Sequence, residues 1–223
     1  MKFKNRQTIL FIGDSITDCG RIHPVGMNSG LGEGYVAFVD SLLAACYPHE
    51  HVRVLNTGVS GDRVTDLKTR WQRDVLDLKP NWLSVMIGIN DVWHQFDNLP
   101  DPDEGAIERY EIVYRELLER THPTLDGLVL MSPYLLEPDL CDPSRQQMDA
   151  YRRIVKGLSI DFGAEFVDVQ NAFDVYLSHR PAHTLSDDRV HPNKTGHMII
   201  AASFLRTIGF DWKSTNQQDD ETR

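Results

Sequence analysis

The stretch Thr8-Ile9-Leu10-Phe11-Ile12-Gly13-Asp14-Ser15-Ile16-Thr17 decides how the chain reads. Its first five residues are β-branched or apolar without polar alternation, the pattern of a strand buried on both faces. Gly-Asp-Ser then stops the run, so the strand delivers a serine to its tip. Gly13 permits a tight backbone path there, and the Ser15 N–H could be left free of the sheet and aimed at a bound carbonyl oxygen. Asp and Ser are also ordinary turn and N-cap types. The fragment therefore needs partners elsewhere in the chain.

Four more short runs read as strands, at residues 52–56, 82–87, 128–131 and 166–169, each bounded by Gly, Asn, Asp or Pro. Between them lie stretches with apolar residues three to four apart, the spacing of helices. Tyr35, Phe38, Val39, Leu42, Leu43 and Cys46 mark the first such face. Val64, Leu67, Trp71, Val75 and Leu78 mark the second, and Ile107, Tyr110, Tyr114, Leu117 and Leu118 the third. A fourth helix follows Pro143, a shorter one covers residues 172–177, and the last spans about residues 194–208, ending at Gly209. Doubly buried strands alternating with amphipathic helices predict an α/β fold, a parallel sheet in a three-layer α/β/α sandwich. No linker or repeat interrupts residues 1–212, which read as one domain. Residues 213–223 read as a disordered polar tail.

This layout sends the polar residues to one place. In open parallel sheets, ligands bind outside the carboxyl ends of the strands. Ser15 follows the first strand, Gly58 the second, Asn90 the third and Tyr134 the fourth, while Asp188 and His191 follow the fifth. Asp188 and His191 are close enough in a turn for carboxylate and imidazole to meet. Pro192 biases His191 toward an extended backbone, and Asn193 can cap the helix that follows. A serine, a histidine and an aspartate on one rim supply the nucleophile, the proton carrier and the orienting group of acyl transfer. The Ser15 N–H, the Gly58 N–H and the Asn90 amide are the candidate donors to the oxyanion. Trp93, Phe96 and Tyr134 come just after strand ends and could line a sugar pocket. With Asp14 beside the serine, Trp93 and Tyr134 are the candidate substrate-contacting side chains.

Gly13-Asp14-Ser15, Gly58, Asn90 and His191 resemble, in order and placement, the four blocks of the SGNH hydrolases, also called the GDSL esterase/lipase family. The likeness runs from about Ile9 to Trp212. Within the family, residues 13–21, 86–93, 188–192 and 196–199 are most similar to bacterial acetylxylan esterases acting on xylo-oligosaccharides. The resemblance implies a flavodoxin-like sheet of five parallel strands and a triad of Ser15, Asp188 and His191. It implies an oxyanion hole from the Ser15 and Gly58 amides and the Asn90 side chain, and neither metal nor organic cofactor. The substrate it implies is a small acetylated saccharide. Other substrates known in the family are short-chain esters, lysophospholipids and thioesters, and an inactive carbohydrate-binding domain of this fold is the non-enzyme alternative. Several acetylxylan esterases of this kind carry an aromatic residue just before the triad Asp, where this chain has Asp187.

Composition narrows the partners. A net charge of -10 and a pI near 5.3 argue against nucleic acid and anionic membranes. Cys19, Cys46 and Cys141 form no C-x-x-C pair, which argues for a reducing compartment, and no apolar run is long enough for a signal h-region or a membrane span. The expected setting is the cytoplasm. Trp212 lies beyond the last helix, where an indole could serve a subunit contact, and a homo-oligomer is compatible with esterases of this kind. The chain has no G-x-S-x-G elbow, and Gly30-Leu31-Gly32-Glu33-Gly34 lacks the dinucleotide-binding spacing. The histidines lack zinc-ligand spacing.

Overall fold

The computed structural model describes residues 1–97 and 105–212, with the side chains of residues 94–97 excepted. The tail at 213–223 and the side chain of Phe96 therefore lie outside the described residues.

The opening stretch forms β1 (Thr8–Gly13), whose residues from Ile9 to Gly13 are all buried. Burying an Ile, Leu or Phe side chain contributes about 1.5–3 kcal/mol. The unbroken apolar run is thus what makes this strand central rather than an edge. Five further strands follow: β2 (Gly26–Met27), β3 (Arg53–Asn56), β4 (Trp82–Met86), β5 (Gly127–Met131) and β6 (Glu165–Val167). Their spatial order is β2-β3-β1-β4-β5-β6. All neighbouring pairs are parallel except β2 with β3, where Gly26 opposes Asn56 in an antiparallel contact. The family expectation of five parallel strands is met and extended by this short edge strand. Two residues carry no periodicity, so β2 could not be read in advance.

The helices are α1 (Ser15–Asp18), α2 (Tyr35–Cys46), α3 (Val64–Trp71), α4 (Ile89–Asp97), α5 (Ala106–Thr121), α6 (Pro143–Asp161), α7 (Val169–Leu177) and α8 (Lys194–Thr207). The predicted second helix changes character at its end, where Gln72–Leu76 form a π-turn. The fifth strand stops at Val167, two residues short of the expectation. Asp168 instead caps α7 by accepting the Asn171 N–H at 3.2 Å, which draws Val169 into that helix. α8 packs on α2 and α7, whereas α3 packs on α5 and α5 on α6, so helices cover both faces of the sheet.

Topology then positions the site. The chain moves from β1 outward to β3, then returns past β1 to build β4, β5 and β6 on the other side. At this reversal the loops after β1 and β4 diverge and leave a crevice at their carboxyl ends. Ser15 and Asn90 sit on its two lips.

Candidate active site

Ser15 is the first residue of α1, a single turn. Asp14 caps that turn by accepting the Ile16 N–H at 3.0 Å, and Cys19, at φ +41°, ends it. As the first amide of a helix, the Ser15 N–H has no intrahelical acceptor. The serine hydroxyl lies 2.9 Å from His191 Nε2, and His191 Nδ1 lies 2.7 Å from Asp188 Oδ2. The three residues come from opposite ends of the chain and form one continuous line. Imidazole and carboxylate side chains are 59% and 45% exposed, so the line opens directly to solvent.

The turn 188–191 is built by its own aspartate. Asp188 Oδ1 accepts the Val190 N–H at 2.9 Å, the His191 N–H at 2.8 Å and the Ser186 hydroxyl at 2.8 Å. Burial acts to raise the Asp188 pKa. The bonds from the His191 ring, the His191 and Val190 amides and Ser186 outweigh it, holding the carboxyl well below its ordinary value. Asp188 is therefore ionised and fixed in direction. Arg189 takes a positive φ of 66° within the turn, and Asn193 caps α8 through the Thr195 and Gly196 amides.

Neighbouring loops hold this turn from behind. Leu136 N–H donates to the Arg189 carbonyl at 2.9 Å, and Arg189 Nη1 donates to Glu137 Oε2 at 2.7 Å. Tyr134 donates its hydroxyl to the Val190 carbonyl at 3.0 Å. Tyr134 is buried against Phe173, so it supports the histidine loop and is not a surface for substrate. The same correction applies to Asp14, whose carboxyl is enclosed beneath the serine. Burial, together with the charges of Asp91 and Asp62, pushes its pKa up to about 7 despite the Ile16 bond. Trp93 is half-buried and lines a cleft of about 70 Å³ with Ile89, Leu135, Met148 and Arg189. It remains available to a ligand.

The oxyanion side differs from expectation in one residue. Gly58 is buried, and its N–H is already donated to Asn56 Oδ1 at 2.9 Å. A Cβ there would come within 2.4 Å of the Asp18 amide, so this glycine serves close packing against α1. Three positions on, Gly61 is exposed, at φ +86°, and its N–H meets no acceptor among the described residues. Preceding it, Ser60 donates its N–H and hydroxyl to Asp18 Oδ2 on α1, each at 3.1 Å. Following it, the Asp62 carbonyl accepts Asn90 Nδ2 at 3.0 Å. Gly61 is thus held between the helix that carries Ser15 and the side chain of Asn90. Sequence offered two glycines in one loop, and only tertiary burial separates them.

Asn90 lies in the first turn of α4, a helix absent from those read in the sequence. Its neighbour Asp91 accepts the Val64 N–H at the start of α3, and burial pushes the Asp91 pKa up to about 7. Behind His191, Tyr35 N–H donates to His197 Nδ1 at 3.2 Å, leaving Nε2–H to face Cys19 Sγ at 3.5 Å. Burial, with the nearby His191, lowers the His197 pKa to about 4, so it stays neutral and ties α8 to the end of α1. Among the described residues, no group of three His, Cys, Asp or Glu side chains could hold a metal ion. No helix is long and apolar enough to cross a membrane among those residues.

Known proteins resemble this chain in sequence and fold. The model of the GDSL-like lipase/acylhydrolase family matches residues 11–199. An acetylxylan esterase of Geobacillus stearothermophilus is 49% identical over 216 residues, covering 95% of this chain and 98% of its own. The crystal structure of Axe2, an acetylxylan esterase from that organism, aligns with a TM-score of 0.91 at 48% identity, over 95% of this chain and 98% of its own. LAE5, an α/β hydrolase enzyme from the metagenome of Lake Arreo, Spain, aligns with a TM-score of 0.90 at 43% identity, over 94% of this chain and 98% of its own. With a hydroxyl, an imidazole and a carboxylate in line at the sheet's carboxyl rim, and with matches spanning nearly the whole chain, this protein belongs to the GDSL-like lipase/acylhydrolase family and is a serine ester hydrolase.

Proposed function

We propose that the protein removes O-acetyl groups from acetylated xylo-oligosaccharides or related sugars through an acyl-serine intermediate. The observation that carries this reading is the unbroken line Ser15 Oγ–His191 Nε2 and His191 Nδ1–Asp188 Oδ2. It is supported by the likeness to acetylxylan esterases, some of whose solved catalytic mutants replace a serine, an aspartate and a histidine by alanine.

Ser15 Oγ attacks the acetyl carbonyl while His191 takes its proton at Nε2. The ionised Asp188 holds Nδ1–H and stabilises the imidazolium that forms. The carbonyl oxygen gathers negative charge and is met by the Ser15 N–H, the Gly61 N–H and the Asn90 amide. Such donors act most strongly on the transition state. His191 then returns the proton to the sugar oxygen, which leaves as the alcohol. Water repeats the sequence on the acetyl-serine and releases acetate. No cofactor enters these steps.

A short acyl group on a bulky polar alcohol suits the open site. A groove of about 990 Å³ runs along α7 and α8 and includes none of Ser15, Asp188 or His191. It therefore offers no channel for a long acyl chain leading from the serine. Trp93, which lines the smaller cleft, is a candidate to stack on a sugar ring. A screen of acetylated saccharides against acetyl-to-decanoyl esters, with Ser15→Ala as blank, tests the reading. Preferential release of acetate from the saccharides is expected, and a long-chain preference would overturn it.

A further inference from the structure

Behind the oxyanion side lies a buried guanidinium that the steps above leave unused. Arg70, near the end of α3, has a side chain only 8% exposed. Its Nη2 donates to the Gly13 carbonyl at 3.1 Å. Its Nη1 donates to the Thr57 carbonyl at 2.5 Å and to Asp74 Oδ2 at 2.9 Å. Its Nε donates to Asp62 Oδ2 at 2.6 Å.

A counter-ion for Asp74 would not need this reach. Arg73 already grips Asp74, donating Nε to Oδ1 at 2.5 Å and Nη2 to Oδ2 at 2.9 Å. What Arg70 adds is a connection between two loops. Gly13 lies two residues before Ser15 at the tip of β1. Asp62 directly follows Gly61, and its own carbonyl holds Asn90. The Thr57 carbonyl belongs to the loop that leads from β3 to Gly61. One planar fork thus touches the strand that presents the nucleophile and the loop that presents Gly61, whose Asp62 carbonyl in turn holds Asn90. A guanidinium holds such partners at fixed angles, whereas an ammonium is a point charge on a flexible stem. Oxyanion stabilisation is sensitive to donor placement on the scale of tenths of an ångström.

We propose that Arg70 is a positioning residue for ester hydrolysis, its guanidinium setting the spacing between Ser15 and the donors Gly61 and Asn90. The proposal rests on the reading of those residues given above, and goes beyond it in assigning a determinant that touches neither substrate nor the reacting atoms.

The test uses Arg70→Lys and Asp62→Ala in the full chain. Lysine keeps the charge beside Asp74 but cannot span two carbonyls and two carboxylates. Asp62→Ala cuts only the limb next to Gly61 and leaves the Thr57 limb in place and the Asp62 carbonyl on Asn90. Turnover of an aryl acetate is measured per reactive serine, counted by stoichiometric labelling with a fluorophosphonate. Each variant is expected to lose at least about tenfold in kcat per labelled serine, with KM within about threefold of the parent. If Arg70→Lys does not fold, Asp62→Ala decides by the same criterion. An unchanged kcat per labelled serine in a folded variant overturns the proposal. So does a loss confined to KM, or one confined to the number of serines that can be labelled. Ser15→Ala separates the two ideas: undiminished turnover there would sink the site itself, whatever Arg70 does.

Discussion

Tyr134 donates its hydroxyl to the carbonyl of Val190, the residue just before His191. A buried side chain after β5 thereby holds the turn that presents the imidazole. Two segments distant in sequence share the task of keeping His191 in line with Ser15.

Tyr134→Phe removes that bond and leaves the Val190 carbonyl without this partner, at a cost of about 1–3 kcal/mol. A lower Tm, together with a reduced kcat, is expected. Thermal unfolding and acetate release measured on the same preparation check it, and an unchanged Tm would contradict the anchoring role.

Asp188→Asn keeps the shape of the turn but cannot accept the Nδ1 proton in the same way. Turnover should fall on the order of ten-thousandfold, as when tautomer control is lost in comparable triads. Steady-state kinetics with Ser15→Ala as background reads this directly. A loss under tenfold would mean that Asp188 is a turn former only.

Asn90→Ala removes the proposed transition-state donor. A loss of about a hundred- to a thousandfold in kcat, roughly 3–4 kcal/mol, is expected with little change in KM. The opposite split would place Asn90 in substrate binding. Gly58→Ala should act on folding instead, because the new Cβ would sit 2.4 Å from the Asp18 amide. Its signature is a lower Tm.

Asp14 and Asp91 both have pKa values raised by burial to about 7. Between roughly pH 4 and 7 the folded chain binds more protons at these sites than the unfolded chain does. Their contribution to stability is complete below pH 4 and is lost as pH rises through 7. Asp188, with its depressed pKa, acts in the opposite sense, its contribution being lost as pH falls below about 4. Asp14→Asn preserves an N-cap acceptor and removes a buried charge. It should raise Tm at pH 8 and leave it nearly unchanged at pH 5, and a uniform shift across this range would rule out the titration.

The five main strands were legible because each is a short apolar run closed by Gly, Asn, Asp or Pro, so burial on both faces is written into composition. The long helices were legible from their three-to-four spacing. α4 was missed because Gly88-Ile89-Asn90-Asp91 has turn chemistry, although Ile89, Val92 and Trp93 already carry helical spacing. The hydroxyl, imidazole and carboxylate could be named in advance since their partners lie next to strong punctuation: Gly-Asp before Ser15, and Pro after His191.

Residue types and order by themselves determined the layered α/β class, the rim on which the polar groups gather and the acyl-transfer chemistry they suit. Tertiary structure alone decided which glycine of the loop after β3 stays exposed, that Asp14 and Tyr134 lie beneath the site, and that Arg70 ties the tip of β1 to that loop. The physical reason is that apolar periodicity is local, whereas burial and hydrogen-bond partnership depend on which distant segments fold against one another.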